Sequence, residues 1–483
     1  MLLIAGAVLV GAVAAAFAAG RLGLPVLVAF LGLGMALGSD GPGGIDFDDA
    51  DLARTIGVVG LVAILFEGGL TTPWRGIRPV ITPAAVLATL GVVVTAAVTA
   101  AAGGVLFDLS ARSALVLGAV VASTDAAAVF ATLRFTPLRR RLARLLEAES
   151  GLNDPMAVAL TIGFIDWVQH PSDPGVDVVV IVVQELSVGL VVGLVLGAAA
   201  AHLAQRVPES LTPFAPVGTI GVAAVSYGAA AVIGGSGFLA VYLVGLRLGN
   251  TWTTFRRSVV SFHQGLAFVA QVALFLVLGL LVFPSELGEV ALASLALTVV
   301  LLVVARPAAV WLSTAWLGFT NVERLFLSWA GLRGAVPIVL ATFALSEGIG
   351  ASNTIFNAVF FVVLVSAVVQ GPTIEPLARR LGLVARHRPH AVAPLEQPVS
   401  SSLDLLEYAV EPDDAIVGMR VRELGLPRDA LVAVIVRAGE PIPPRGRTTV
   451  EPGDRLYVLA HASSRPAVEA LFAQWEAGEP VGA

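Results

Sequence analysis

The chain contains no cysteine, which excludes disulfide frameworks, zinc–thiolate centres and cysteine nucleophiles. It contains no lysine either. All 29 basic residues are arginine, a bias that reads as the codon usage of a GC-rich bacterium and not as a functional signal. Charge of either sign is scarce: charged residues make up 13% of the 483, against about a quarter in an average soluble domain. That scarcity excludes an ordinary soluble globule for most of the length. No TVGYG-like run is present, and Ser226-Tyr227-Gly228 is a poor substitute for a potassium-channel filter. No basic residue precedes the apolar stretch Met1 to Gly20, so it reads as a first membrane helix that is retained, not a signal peptide.

What is present is apolar surface. Hydrophobic residues make up 57% of the chain, and the mean hydropathy is +0.88. Thirteen apolar segments of spanning length follow one another, at roughly 1–19, 22–38, 52–72, 82–106, 113–133, 150–168, 177–204, 215–233, 236–248, 260–283, 288–305, 325–346 and 353–377. The intervening loops alternate in charge. One set carries Arg21, Arg75, Arg78, Arg134, Arg139, Arg140, Arg141, Arg144, Arg206, Arg256, Arg257, Arg306 and Arg324. The other carries Asp40, Asp46, Asp48, Asp49, Asp51, Asp108, Asp173, Asp177, Glu286, Glu289 and Glu347, and only Arg54 and Arg112 break its pattern. Positive loops stay cytoplasmic, so the N-terminus is expected outside and the C-terminus inside. The expected organisation is a membrane domain over 1–380, a proline-rich linker over 381–402, a small α+β cytoplasmic domain over 403–475 and a tail over 476–483. LDLLEYAVEP, ALVAVIVRAGE and RLYVLAH read as strands, and Arg465 to Trp475 as a closing amphipathic helix.

Ionisable residues inside membrane helices are costly and usually functional. They fall in four segments: Glu67 in the third, Asp125 in the fifth, Glu149 and Asp154 in the sixth, and Arg333 in the twelfth. Glu67, Asp125, Asp154 and Arg333 lie eight to ten residues from Arg75, Arg134, Arg144 and Arg324 respectively. At 1.5 Å per helical residue these distances are roughly 12–15 Å, about half of a ~30 Å hydrocarbon core. Three acids and one arginine are therefore expected near the midplane. A purely structural network would balance its charges, whereas an excess of buried negative charge needs a bound cation or proton. Ser150 and Asp154 share a helical face, as do Glu149 and Asn153. Glu149 and Asp154 point about 140° apart, so one can pair with Arg333 while the other serves an ion. Ser150, Asn153 and Thr124 add hard oxygen donors that suit alkali cations. Ser123-Thr124-Asp125 interrupts one helix, and Gly331, Gly334 and Pro337 interrupt another. Two crossed half-helix pairs with charged centres are the expected result.

The runs STDAAAVF, ESGLNDP and GLRGAVPIVLA occur in this order on these helices. Together they resemble the NhaP-type branch of the monovalent cation:proton antiporters, and its potassium/proton subgroup in particular. The likeness covers about 1–380 and implies an all-α membrane fold of about 13 helices with inverted repeats, two crossed interrupted helices and a homodimer. Residue by residue, it implies that Asp154 binds cation and proton alternately and that Asn153 is its uncharged partner. It implies that Ser150, Thr124 and Glu67 serve ion coordination or the access path, with the alkali cation held at Asp154, Ser150 and Thr124. It further implies that Glu149 pairs with Arg333 as a structural ion pair and that Asp125 lies at the helix crossing. Ala126 stands where many relatives carry proline, which fits the potassium/proton subgroup.

In the tail, AIVGMRVREL, PIPPRG and EPGDRLYVLA resemble the C-terminal regulatory half of potassium-transport gating domains, the RCK/TrkA-C type. Such domains pair with themselves and bind small ligands, cyclic di-AMP in some members. The expected function is exchange of K⁺ or Na⁺ for H⁺, electroneutral because Asn153 carries no charge, in the lipid bilayer of a bacterial inner membrane. No further cofactor, no nucleic acid and no enzymatic chemistry are expected. The sequence leaves K⁺ against Na⁺ open, with the tail favouring K⁺. Three rivals compete: a gated channel, a membrane serine protease built on Gly234-Gly235-Ser236-Gly237 with His263 as base, and a pure sensor or scaffold, which leaves the midplane acids without purpose. Ser236 is expected instead in a tight turn between helices, and His263 in helix packing.

Overall fold

The computed structural model describes residues 2–22, 26–133, 136, 138–251, 253, 255–384, 403–412, 414–437, 440–461 and 463–476. The chain divides into two compact units, Met1–Val384 and Ala385–Ala483. Arg134, residues 385–402 of the expected linker and residues 477–483 of the tail lie outside the described residues.

The first unit is helical. In chain order it contains α1 (Leu2–Leu22), α2 (Val26–Leu37), α3 (Ala50–Thr71), α4 (Trp74–Leu106), α5 (Ala111–Val120), α6 (Ala126–Thr132), α7 (Arg140–Gln169) and α8 (Val176–Ala204). It continues with α9 (Ser210–Val232), α10 (Gly237–Gly249), α11 (Arg256–Leu280), α12 (Pro284–Thr314), α13 (Asn321–Trp329), α14 (Ala335–Ser346) and α15 (Ser352–Arg380). Each apolar segment read from the sequence contains helix. The fifth and twelfth are broken pairs, α5/α6 and α13/α14. Among the described residues seven helices (α3, α4, α8, α9, α11, α12 and α15) are long and apolar enough to cross a bilayer. The exposed side chains on α8 include Val179, Val183, Leu190, Val191, Leu194 and Val195, an apolar surface that suits lipid or a protein partner.

The interior is reserved for α7 and α14. Every residue from Ala335 to Ala344 is buried, and α7 buries Glu149, Asn153 and Asp154 along with its apolar positions. Close helix crossings depend on glycine: a Cβ on Gly34 would run into the backbone of Gly279, 2.8 Å from its Cα. A motif recurs along the chain. A long helix with one π turn, a broken helix and a second long helix form α4–α7, and the same order forms α12–α15, with the π turns at Leu87–Gly91 and Leu301–Ala305. α3 packs on α10, α11 and α14.

The second unit is a four-stranded antiparallel sheet of β1 (Leu403–Ala409), β2 (Ala430–Arg437), β3 (Glu440–Ile442) and β4 (Arg455–His461), ordered β1-β4-β2-β3. One helix, α16 (Arg465–Glu476), buries Val468, Phe472 and Trp475. The Tyr408 ring lies 5.0 Å from Phe472 and 5.1 Å from Trp475. Arg437 lies between strand and turn, donating two 2.8 Å bonds to the fully buried Asp454 carboxylate and one to Glu451.

Candidate functional site

The two breaks meet. After α5 the chain is unwound over 121–125, and after α13 over 330–334. The Asp125 backbone N–H donates to the Leu332 carbonyl at 2.8 Å. In return, Arg333 Nη1 donates to the carbonyls of Ala122, at 2.9 Å, and Ser123. These carbonyls lie in the unwound stretch just past the C-terminal end of α5, near the partial negative charge of a helix terminus. Asp125 caps α6 through a 3.0 Å bond from the Ala128 N–H. Gly334 has no side chain because the Asp125 carboxylate occupies the space where a Cβ would go. Gln370 on α15 donates to the Trp329 carbonyl at 2.6 Å and accepts from Ser366, closing the end of α13.

α7 runs past this crossing. Ser150 Oγ donates to the Thr124 carbonyl at 3.0 Å and accepts from the Ala126 N–H at 3.2 Å. Asn153 Nδ2 donates to Thr124 Oγ1 at 2.6 Å. Asp154 is 6% exposed, and its Oδ1 has no hydrogen-bond partner. The Oδ1 of Asn153 and the hydroxyl of Ser123 are likewise buried without partners. Pro155, within α7, has no N–H and so leaves the Gly151 carbonyl without its helical donor. Thr124, Ser150 and Asn153 thus gather on the α5/α6 break, with Asp154 next along α7. The hydroxyls of Ser150 and Thr124 are already engaged, so the open oxygens belong to Asp154, Asn153 and Ser123. Glu67 lies half-buried on α3, and among the described residues no hydrogen bond joins it to Asp154, Ser150 or Thr124.

The expected pairing of Glu149 with Arg333 is corrected. Glu149 Oε1 accepts from Arg306 Nη1 at 2.6 Å, and the two side chains are 1% and 3% exposed. Arg306 is not a loop residue. It lies inside α12, immediately after the π turn Leu301–Ala305, and an extra residue in a turn re-aims the side chains that follow it. Gly331 makes room for it, since a Cβ there would sit 2.6 Å from Arg306 Nε. Glu149 is therefore neutralised by a cation that loop counting had placed at the interface. Arg333 is held by backbone carbonyls, and among the described residues Asp154 has no ion pair and its Oδ1 no hydrogen bond. Arg306, Gln370 and the Ser123 hydroxyl are absent from the sequence-derived site. The signal for Arg306 was its place at the end of an otherwise uninterrupted apolar run.

The protease geometry is absent. Ser236 is buried and caps α10, accepting from the Leu239 N–H at 3.3 Å, and Gly234 takes the left-handed φ of +73° that its turn needs. His263 Nε2 bonds Thr219 Oγ1 at 2.8 Å instead.

Comparison with known proteins agrees with this geometry. Residues 5–380 match the family model described as "Sodium/hydrogen exchanger, transmembrane", and residues 405–473 match the TrkA-C domain. A K(+)/H(+) antiporter NhaP2 of Shewanella sp. (strain ANA-3) is 38% identical over 461 residues, covering 94% of this chain and 80% of the relative. The K(+)/H(+) antiporter NhaP of Alkalimonas amylolytica is 36% identical, covering 98% and 83%. The Na(+)/H(+) antiporter ApNhaP of Aphanothece halophytica is 30% identical, covering 74% and 70%. Among solved structures, the sodium proton antiporter MjNhaP1 from Methanocaldococcus jannaschii superposes with a TM-score of 0.70 at 24% identity, over 78% of this chain and 97% of that one. The chain, with its apolar spans, its crossed broken helices and its C-terminal TrkA-C domain, belongs to the sodium/hydrogen exchanger family of membrane proteins.

Proposed function

We propose that the protein is a secondary transporter, not an enzyme, that exchanges K⁺ or Na⁺ for H⁺ by competition at Asp154. The observation that carries this reading is the buried Asp154 carboxylate with no protein cation and no hydrogen bond to its Oδ1. An isolated carboxylate in such a place costs several kcal/mol, so it takes either a proton or a cation. Protonated, it is neutral and has no hold on a cation. Ionised, it attracts one, and the open oxygens of Asn153 and Ser123 supply further ligands of the hard type that alkali ions prefer. Ser150 and Thr124 orient that set, and Asp125 and Arg333 hold the crossing on which it is built. One site for two competing cations couples their flows without ATP. Asn153 adds no second titrating charge, so one cation for one proton is the simplest ratio. Glu67 serves the access path.

The printed names of the 36–38% identical relatives favour K⁺ as the exchanged cation. The alternating loop charges favour an orientation with the C-terminal unit in the cytoplasm, and the bacterial relatives fit an inner membrane. A homodimer scaffold, with the α7/α14 bundle moving against it, alternates access to the two sides. The TrkA-C unit regulates exchange, with a small ligand such as cyclic di-AMP as its effector. The deciding experiment is cation-dependent proton release in everted vesicles with K⁺, Na⁺, Li⁺ and Rb⁺ compared. Asp154→Asn is expected to abolish release, and retained release in that variant would sink the assignment.

A further inference from the structure

Two arginines lie among the acidic loops against the general charge pattern, and the structure gives them different tasks. Arg112 ties neighbouring parts of one bundle: it donates to the Pro171 carbonyl at 2.8 Å, and its guanidinium lies 4.9 Å from the Trp167 ring centroid. Arg54 reaches across a seam. It stands in the first turns of α3, whose other packing partners are α10 and α11, and it contacts the end of α14. Its Nη1 donates to Ser346 Oγ and to Glu347 Oε1, both at 2.9 Å. The guanidinium covers the Phe343 ring at 4.3 Å. Ser346 Oγ in turn donates to Asp51 Oδ1, back on α3, at 2.7 Å. Glu347 Oε2 accepts from Gln169, the last residue of α7, at 3.1 Å.

Among the described residues these are the polar bonds between α3 and the ends of α7 and α14. Deeper along the same seam the contact is apolar and unbonded, with Gly57 of α3 set against the Val339 side chain. The helices joined at Glu347 include the two that the proposed function moves: α7 carries Asp154, and α14 follows the crossing. The network is also half open to water, with Arg54 and Glu347 side chains 33% and 38% exposed. Ion pairs of that kind are weak, because water solvates the separated charges well. A tie that is specific in geometry and cheap to part suits a contact that opens in every cycle.

We propose that Asp51, Arg54, Ser346 and Glu347 form a latch that closes the acidic-loop end of the seam between α3 and the Asp154 bundle. It parts whenever the site faces that side. The inference rests on the exchange reading above, and wild-type exchange is measured first so that the two can fail separately.

The absence of cysteine makes the test direct, since Asp51→Cys/Ser346→Cys introduces the only two thiols. Their parent side chains touch at 2.7 Å, so the two thiols face each other across the seam. In proteoliposomes of the full-length protein, oxidation is expected to lower potassium-driven proton flux at least tenfold, and dithiothreitol to restore it. The control pair Arg112→Cys/Pro171→Cys, whose parent residues are bonded within one bundle and outside the latch, bridged by a short bis-methanethiosulfonate, is expected to keep its flux. Full cross-linking of the first pair without loss of flux overturns the latch. Should that pair be inactive when reduced, Arg54→Ala decides. Freed of the latch, it is expected to show a several-fold lower KM for the cation on the acidic-loop side, with Arg54→Lys returning toward wild type. An unchanged KM from both sides overturns the proposal equally.

Discussion

Two charged regions on α7 lie only five residues apart and are built on opposite rules. At Glu149 the protein supplies its own counter-charge, Arg306, at 2.6 Å. At Asp154 it supplies none, and the nearby amide and hydroxyl oxygens are left without partners. Two buried acids on one helix cost about the same to desolvate, so the difference is one of purpose. A matched charge is fixed in place, while an unmatched one is free to take what the solution offers. Arg437 in the second unit follows the first rule, closing on Asp454 with two bonds of 2.8 Å.

The strongest way to break the contrast is to change the unmatched side. Asn153→Asp places a second acid beside Asp154, and exchange is expected to become sensitive to membrane potential, read as a flux change on clamping the potential with valinomycin. Potential-independent flux in that variant would remove Asn153 from the stoichiometry. On the matched side, Arg306→Met leaves Glu149 buried and alone, at a cost of about 3–5 kcal/mol. Thermal unfolding in detergent should show the loss, and Glu149→Gln/Arg306→Met should recover most of it. A double variant as unstable as the single would mean that the pair is not an isolated structural unit.

Gly334→Ala pushes a methyl group into the Asp125 carboxylate. The overpacking is expected to cost about 1–3 kcal/mol and to slow exchange while leaving Glu149–Arg306 intact. Arg437→Ala is expected to lower the stability of the second unit alone by about 1–3 kcal/mol, with exchange by the membrane unit preserved under saturating cation. The smallest effect concerns pH. Hydrogen bonds from Arg54, then Gln169, hold the Glu347 carboxyl below its ordinary value of 4.5, against the opposing effects of partial burial and, last, of Asp51. A depressed carboxyl contributes above its unfolded value and is lost as pH falls through the folded one. The KM difference between wild type and Arg54→Ala should therefore hold constant from neutral to alkaline pH and vanish only below about 4.5.

Much of this site could be read from the residues in order. The helix breaks at Ser123-Thr124-Asp125 and Gly331–Gly334 were legible because glycine and short polar residues end membrane helices for local reasons. Thr124, Ser150 and Asn153 were legible as candidate oxygen donors, but their meeting was not, because spacing along α7 says nothing of Thr124 on a different segment. What escaped was partner choice. Spacing alone showed that Glu149 and Asp154 face different ways, but not which arginine each meets, because that depends on α12 continuing through Arg306 after a π turn. A loop boundary drawn from charge put Arg306 in the wrong environment. In the second unit three strands and the closing helix were legible. β3, three residues long, had too little alternation to register and merged with β2.

The crossing of the broken helices has one more consequence. Asp125 bonds to Leu332 while Arg333 bonds back to Ala122 and Ser123, so each break splints the other and neither can unwind alone. Under the proposed exchange mechanism the ion site travels as one rigid cassette. A cation then meets the same oxygens whichever side it comes from. Any sidedness in the transporter is a property of the seam around the cassette, and with the two solutions interchanged the cycle runs backwards on the same chemistry.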